Sequence, residues 1–426
     1  MNSAAIVLIV VMLACLVIGV PISWSLMVSS AVAVLSAGIP PAVLCQRLFT
    51  SMDAFTMLAV PLFLVAGDIM AKGSISQRLV DFADALFGHL RGGMAVVSIV
   101  ACTIFAALTG SALATTAAIG AIMYPAMTAK NYPKDYTSAV LAIGGTLGPV
   151  IPPCVVFIFY AQSTDLSVVD LFMSGLGPGL LSCIGMSVVA VLIAIRSHMP
   201  KEGHFDGRKA LHAFRRAFFA LLMPIIILGG IYSGVFTATE SAGIAVVYGL
   251  VVSMFIYRDI KPRDLLPMFK NTAKTTANLM ILIAAANVFG YLVGYFNIPK
   301  VLTAFVQTYA HSKLAFLLIV GIILLICGMF MEAIAVVVIL APILAPMAVT
   351  FGVDPIQFGC FMVFILCLGI ATPPFAPSMF VACGITGEPV TKVTKKIMPF
   401  IIEQIIVAVL IGLVPALSVF LPSLFK

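Results

Sequence analysis

Two short runs concentrate the residues that break a helix: Gly148-Pro149-Val150-Ile151-Pro152-Pro153 and Gly369-Ile370-Ala371-Thr372-Pro373-Pro374. Adjacent prolines remove backbone donors and block the helix, so carbonyls of the preceding turn lose their partners. Freed carbonyls, with the hydroxyls of Thr146, Thr372 and Ser378 beside them, offer hard oxygens to a cation such as Na⁺. The N-terminus of a resuming half-helix favours an anion instead. A plain kink is the simpler account of any single proline. Two double-proline runs in one register, each preceded by a hairpin with a polar tip, favour a binding site.

Other chemically capable residues point elsewhere. Glu332 is the most conspicuous acid within an apolar stretch, and intramembrane acids are usually functional. It reads either as a cation or proton ligand or, slightly preferred, as a cap accepting free N–H groups of the helix that follows. Asp68 stands beside Lys72 and reads as an interfacial anchor. Glu240, in Thr237-Ala238-Thr239-Glu240-Ser241, fits a capping pattern loosely and marks a turn and helix start. Ser111 and Thr116 have no His or Lys placed to activate them, which disfavours an intramembrane hydrolase. His89, His198, His204, His212 and His311 all fall in or beside loops, away from the breaks, so no histidine metal site or central proton relay is expected. The nine cysteines lack CxxC spacing and read as small apolar residues.

The elements that position these residues follow from composition. Of 426 residues, 62% are apolar and 9% charged, far from the roughly 25% charged residues of soluble domains. A soluble enzyme, a disordered chain and a nucleic-acid binder are excluded; lipid is the main solvent. The net charge of +7 resides largely in two short polar breaks, Arg196 to Arg216 and Arg258 to Lys274, where cations set membrane orientation. Apolar runs predict helices near Ala4–Leu35 (retained, tilted or kinked at Pro21), Thr56–Ala71, Ser138–Tyr160, Val168–Ile195, Ala217–Tyr232, Ser241–Tyr257, Thr275–Phe296, Ile356–Ala382 and Ile397–Phe420. Ser74–Leu86 and Lys300–Ala310 read as short interfacial helices.

Gly93–Met127 and Leu314–Val349 differ from these. Each is a long apolar run interrupted midway, by Thr109-Gly110-Ser111 or by Gly328-Met329-Phe330-Met331-Glu332. On length alone, a re-entrant hairpin and two short spans stand level. Charge placement decides for the hairpins: with the basic breaks in the cytoplasm, every cation cluster lands on the expected side only if both hairpins return to their own face. The halves also share punctuation. Gly369 lies 221 residues after Gly148, and Pro346 lies 221 after Pro125. The first copy opens inside and the second outside, so the chain divides into inverted repeats, 1–216 and 217–426. They carry hairpins at 93–127 and 314–349 and broken helices at 138–160 and 356–382. Inverted repeats with broken helices are a secondary-transporter signature, with the site at the midplane.

Over nearly its whole length the sequence resembles the large membrane subunit of TRAP transporters (tripartite ATP-independent periplasmic transporters). The resemblance is carried by Leu58-Ala59-Val60-Pro61-Leu62-Phe63-Leu64-Val65-Ala66-Gly67-Asp68, by Ser233-Gly234-Val235-Phe236-Thr237-Ala238-Thr239-Glu240, by the Gly328–Glu332 tip with Thr372-Pro373-Pro374, and by Asn131-Tyr132-Pro133. It implies an all-helical elevator-type transporter of the bacterial inner membrane, driven by Na⁺ as coupling ion and needing no other cofactor. It also implies an organic-acid substrate, a periplasmic solute-binding protein and a separate four-helix small subunit. Carried over by residue, Gly110, Ser111 and Thr115, with Thr146, Gly148, Pro152 and Pro153, would form the site from the first copy. Gly328, Glu332, Gly369, Thr372, Pro373 and Ser378 would complete it from the second. The Na⁺ ligands would lie around Ser111, Gly148, Gly369 and Thr372. Thr115, Cys154 and Phe375-Ala376 stand where the family often has Asp, Ser and Val-Gly. The alternatives are a stand-alone carboxylate exchanger, an intramembrane enzyme needing an activated Ser111, and a channel whose flux does not saturate.

Overall fold

The computed structural model describes residues 3–197, 199 and 204–425; Met1 and His198 lie outside them. Among the described residues every regular element is helical, and nine helices are long and apolar enough to cross a membrane. In chain order the first ten are α1 (Ser3–Val17), α2 (Ile22–Ser36), α3 (Ala42–Met52), α4 (Ala59–Lys72), α5 (Ile75–Phe87), α6 (Gly93–Thr109), α7 (Ala112–Ala129), α8 (Lys134–Gly145), α9 (Val155–Thr164) and α10 (Val168–Arg196). Then come α11 (Gly207–Tyr232), α12 (Ala238–Val251), α13 (Pro262–Tyr295), α14 (Ile298–Gln307), α15 (Lys313–Phe330), α16 (Ala333–Thr350), α17 (Pro355–Gly369), α18 (Pro377–Thr386), α19 (Val390–Leu413) and α20 (Ala416–Leu424).

The expected single helix Ala4–Leu35 is instead two, α1 and α2, packed on each other. Gly19 at φ +87° closes α1, and Pro21 caps the start of α2. A left-handed glycine followed by proline is a stop-and-restart signal, not a kink. Three further bounds moved for related reasons. Asp206 caps α11 through the Arg208 and Lys209 amides, so the helix starts at Gly207, ten residues before Ala217. The Lys261–Asp264 turn, with Pro262 at its first position, starts α13 early. The chain leaves helix at Val414-Pro415, separating α19 from α20. Helix α3 was not anticipated.

The two copies correspond element by element. Helices α7 and α16 start and end 221 residues apart, and α8 and α17 start 221 apart. Helices α6 and α15, α9 and α18, and α10 and α19 follow the same register to within two residues at their starts. Packing between them is reciprocal: α9 lies against α16, and α18 lies against α7. Each copy thus contributes the second half of its broken helix to the other copy's hairpin. Around this unit, α4 packs on α12, α5 on α11, and α13 on α2 and α3.

Candidate functional site

The first tip is a two-residue reversal. Gly110 adopts φ +61°, a left-handed conformation that suits glycine. A Cβ there would also stand 2.8 Å from the Pro153 carbonyl oxygen and 3.1 Å from Cys154 Cα. Ser111 then caps α7, its Oγ accepting from the Ala114 N–H at 3.4 Å. The second tip runs through Met331 to Glu332, both extended, before α16 begins. Glu332 occupies the cap position, yet its side chain makes no capping hydrogen bond. This corrects the preferred reading of Glu332 as a cap: the residue is exposed and lines the cavity described below.

Each tip rests on its own copy's break. A Cβ on Gly148 would lie 2.5 Å from the Ser111 carbonyl carbon, and one on Gly369 2.6 Å from that of Gly328. The Pro152–Pro153 and Pro373–Pro374 peptide bonds are both cis, so the breaks share geometry as well as sequence. Before each break a hydroxyl turns back: Thr146 Oγ1 donates to Ile143 O at 2.6 Å and Thr372 Oγ1 to Leu368 O at 2.8 Å. With their protons so directed, both hydroxyl oxygens keep lone pairs for a cation, and the donor set is of hard-oxygen type.

A cavity of about 380 Å³ lies between the two tips and the two breaks. Its wall includes Gly110, Ser111 and Ala112 from tip 1, Met331, Glu332 and Ala333 from tip 2, Pro149, Val155 and Val156 from break 1, and Ile370 and Pro377 from break 2. Leu64 of α4 and Thr275 and Leu279 of α13 close the remaining side. The first turns of α7, α9, α16 and α18 therefore all reach this one space, each bringing the positive end of a helix dipole; at α18 that end is the dipole alone, since Pro377 has no N–H and the Ser378 N–H donates to Ile370 O at 3.1 Å. Among the described residues no Lys, Arg or His lines it.

The other named residues sit behind the wall. Thr115 is fully buried, its Oγ1 3.0 Å from Thr109 Oγ1. Ser378 is buried at the crossing of the copies, 2.8 Å from Thr116 Oγ1 and donating to Ala142 O at 2.7 Å. Pro152 and Pro153 are buried and Pro373 half-buried. The Thr116–Ser378 pairing was not foreseen, because nothing in sequence aligns residues 262 apart.

Several side chains near the framework take partners other than expected. Asp68 accepts from Thr272 Oγ1 at 2.6 Å, while Lys72 pairs with Asp264 at 3.4 Å. Glu240 completes a full capping box with Thr237 rather than a loose one. Glu403, which the sequence reading passed over, stands mid-way along α19. Its Oε2 accepts from Gln404 Nε2 at 2.8 Å, and its Oε1 has no partner among the described residues. A single acid in a 24-residue apolar helix was the available signal.

A family model described as "Tripartite ATP-independent periplasmic transporter, DctM component" matches residues 9–417. The chain is 39% identical over 380 residues to the C4-dicarboxylate TRAP transporter large permease protein DctM of Pseudomonas aeruginosa, covering 89% of each chain. It is 37% identical over 409 residues to the isethionate TRAP transporter permease protein DctMQ of Oleidesulfovibrio alaskensis, covering 95% of this chain and 64% of that one. Among solved structures it is similar to the Alcanivorax borkumensis YdaH transporter, with a TM-score of 0.63 at 14% identity, covering 87% of this chain and 88% of that chain. At that identity the likeness speaks to fold alone.

Proposed function

The chain belongs to the DctM component family of the tripartite ATP-independent periplasmic transporters, and on that premise we propose that it imports an organic anion together with Na⁺ by an elevator motion. It is a membrane permease, and the comparisons are to permeases rather than enzymes. The observation that carries the reading is the convergence of four half-helix N-termini on one cavity that, among the described residues, no basic side chain lines. Backbone dipoles of this kind favour negative charge, and Glu332 on the same wall favours the cation that accompanies it. The relatives act on C4-dicarboxylates and isethionate, and a carboxylate or a similar small anion suits about 380 Å³. Na⁺, as co-transported cargo, would take its oxygens from around Ser111, Gly148, Gly369 and Thr372. Ion binding would order the two tips and so link cation to anion.

The seam between the hairpins and the surrounding helices supports the motion. A Cβ on Gly67 of α4 would lie 3.3 Å from Thr109 Cα, at tip 1. The corresponding α13 contact, Gly290 against Pro342 at 3.2 Å, falls ten residues beyond Glu332, about 15 Å from tip 2. Copies related by twofold symmetry should touch their neighbours at equal depth unless the hairpin unit is displaced towards one end. Exchanging the copies through the 221-residue register gives the opposite displacement, with Val288 against Phe330 and Ile69 against Ala121. Tip 2 would then move from the level of Leu279 to that of Val288, nine residues or about 14 Å along α13.

The proposed setting is the bacterial inner membrane, with a four-helix small subunit bracing the framework and a periplasmic binding protein delivering solute. Reconstituted with both, the chain should show saturable uptake that requires Na⁺. Uptake unchanged when choline replaces Na⁺, with no gradient imposed, would refute the coupling. Uptake of full rate without the binding protein would favour a stand-alone exchanger.

A further inference from the structure

A second polar cavity, of about 270 Å³, opens where α3 and α13 face α9 and α16. It lies at the end of the molecule away from the basic Arg196–Arg216 break, since Asp165 on its rim precedes the 29-residue α10 that leads to Arg196. Tyr291 on its wall is twelve residues past Leu279 on α13, so it stands about 18 Å from the central cavity along that helix.

Its chemistry differs from that of the central site. Arg47 holds its guanidinium 4.2 Å over the Tyr291 ring, and among the described residues no carboxylate lies within salt-bridge distance of it. Stacking of this kind fixes the plane of the fork while leaving its N–H edge available. Gln162 lines the same space and accepts through Oε1 from Thr56 Oγ1 at 3.4 Å, which leaves its amide N–H groups to donate. Asn287 adds a further amide. Asp165, exposed and in the left-handed region at φ 54°, closes α9 three residues after Gln162 and brings one negative charge to the same wall.

We propose that this cavity is a loading station for the transported anion: Arg47, Gln162 and Asn287 take a carboxylate, and Asp165, about one turn from Gln162, accepts from a hydroxyl or ammonium on the adjoining carbon. It therefore selects hydroxy- or amino-substituted monocarboxylates over dianions, which would set a second carboxylate against Asp165. Its position gives it a use. Arg47 and Asn287 stand on the surrounding helices and Gln162 and Asp165 on the hairpin unit. In the opposite displacement Gln162 and Asp165 therefore leave with that unit while tip 2 reaches Val288, beside Asn287 and within one turn of Tyr291, and a solute left on Arg47 would meet the arriving tips directly. The inference rests on the organic-acid carrier reading, and it names the solute class for that reading.

The test needs no transport. Trp24 is the only tryptophan, so Trp24→Phe with Tyr291→Trp gives one reporter beneath Arg47, in the full chain held in lipid nanodiscs. Lactate should change its fluorescence saturably, and succinate should require at least tenfold more. Arg47→Ala should abolish the lactate response, Arg47→Lys should weaken it, and Asp165→Asn should bring succinate close to lactate. If the tryptophan at 291 prevents folding, Phe159→Trp on the facing wall serves instead. A flat lactate titration, or one that persists in Arg47→Ala, would overturn the site; equal lactate and succinate responses would overturn its selectivity. In uptake assays Arg47→Ala should raise KM at least tenfold with the maximal rate within twofold. Absence of uptake by the unaltered chain would count against the carrier reading and leave the fluorescence result standing.

Discussion

Gly369 presses against Gly328 backbone to backbone: a Cβ on Gly369 would fall 2.6 Å from the Gly328 carbonyl carbon and 2.9 Å from its oxygen. No side chain stands between them to give way. Gly369→Ala must therefore separate the second tip from its break, and Gly148→Ala must do the same at Ser111. Overpacking of this kind costs about 1–3 kcal/mol. Both variants should unfold at lower temperature in detergent and lose most uptake, while Gly243→Ala, where nothing stands within 4 Å, should do neither. Wild-type melting and uptake in Gly369→Ala would contradict the contact.

The seam offers a direct reading of the motion. Gly67→Cys with Thr109→Cys should cross-link in the displacement seen in this structure, since a Cβ on Gly67 already lies 3.3 Å from Thr109 Cα. Val288→Cys with Phe330→Cys should cross-link only in the opposite one. Each bond should arrest uptake, and a reductant should restore it. If the second pair never forms while uptake proceeds, an elevator stroke of about 14 Å is the wrong description.

Ser378 joins the two copies by bonding to both Thr116 Oγ1 and Ala142 O. Ser378→Ala leaves buried groups without a partner, at about 1–3 kcal/mol. Combined with Thr116→Val, the loss should be less than additive, by about 0.5 kcal/mol or more. Strict additivity in chemical unfolding would show that the two hydroxyls do not act together.

Glu332 makes no capping bond, so Glu332→Gln should leave the melting temperature nearly unchanged, within about 0.5 kcal/mol of stability. It lines the central cavity, and neutralising its carboxylate should raise the Na⁺ concentration for half-maximal uptake at least threefold. A lower melting temperature with unaltered Na⁺ dependence would return the residue to a structural role.

Much of this molecule is written along the chain. The apolar runs, the Gly110–Ser111 and Gly328–Glu332 interruptions and the two double-proline breaks are local signals, because in lipid every backbone group must find a partner nearby. Their 221-residue register is equally a property of sequence, and so the hairpins and broken helices could be placed before any coordinates. At Gly19-Val20-Pro21, where length alone suggests one tilted helix or a kink at Pro21, the left-handed glycine stops one helix and proline starts the next. Tertiary structure alone decided which surfaces meet. That Ser378 bonds Thr116, that Gly67 lies under tip 1 while Gly290 lies far behind tip 2, that Glu332 lines the cavity instead of capping, and that Arg47 stacks on Tyr291 all depend on contacts between segments distant in the chain. Periodicity tells each helix which face to bury; it carries no record of the partner, because that choice is made by the packing of all the helices together.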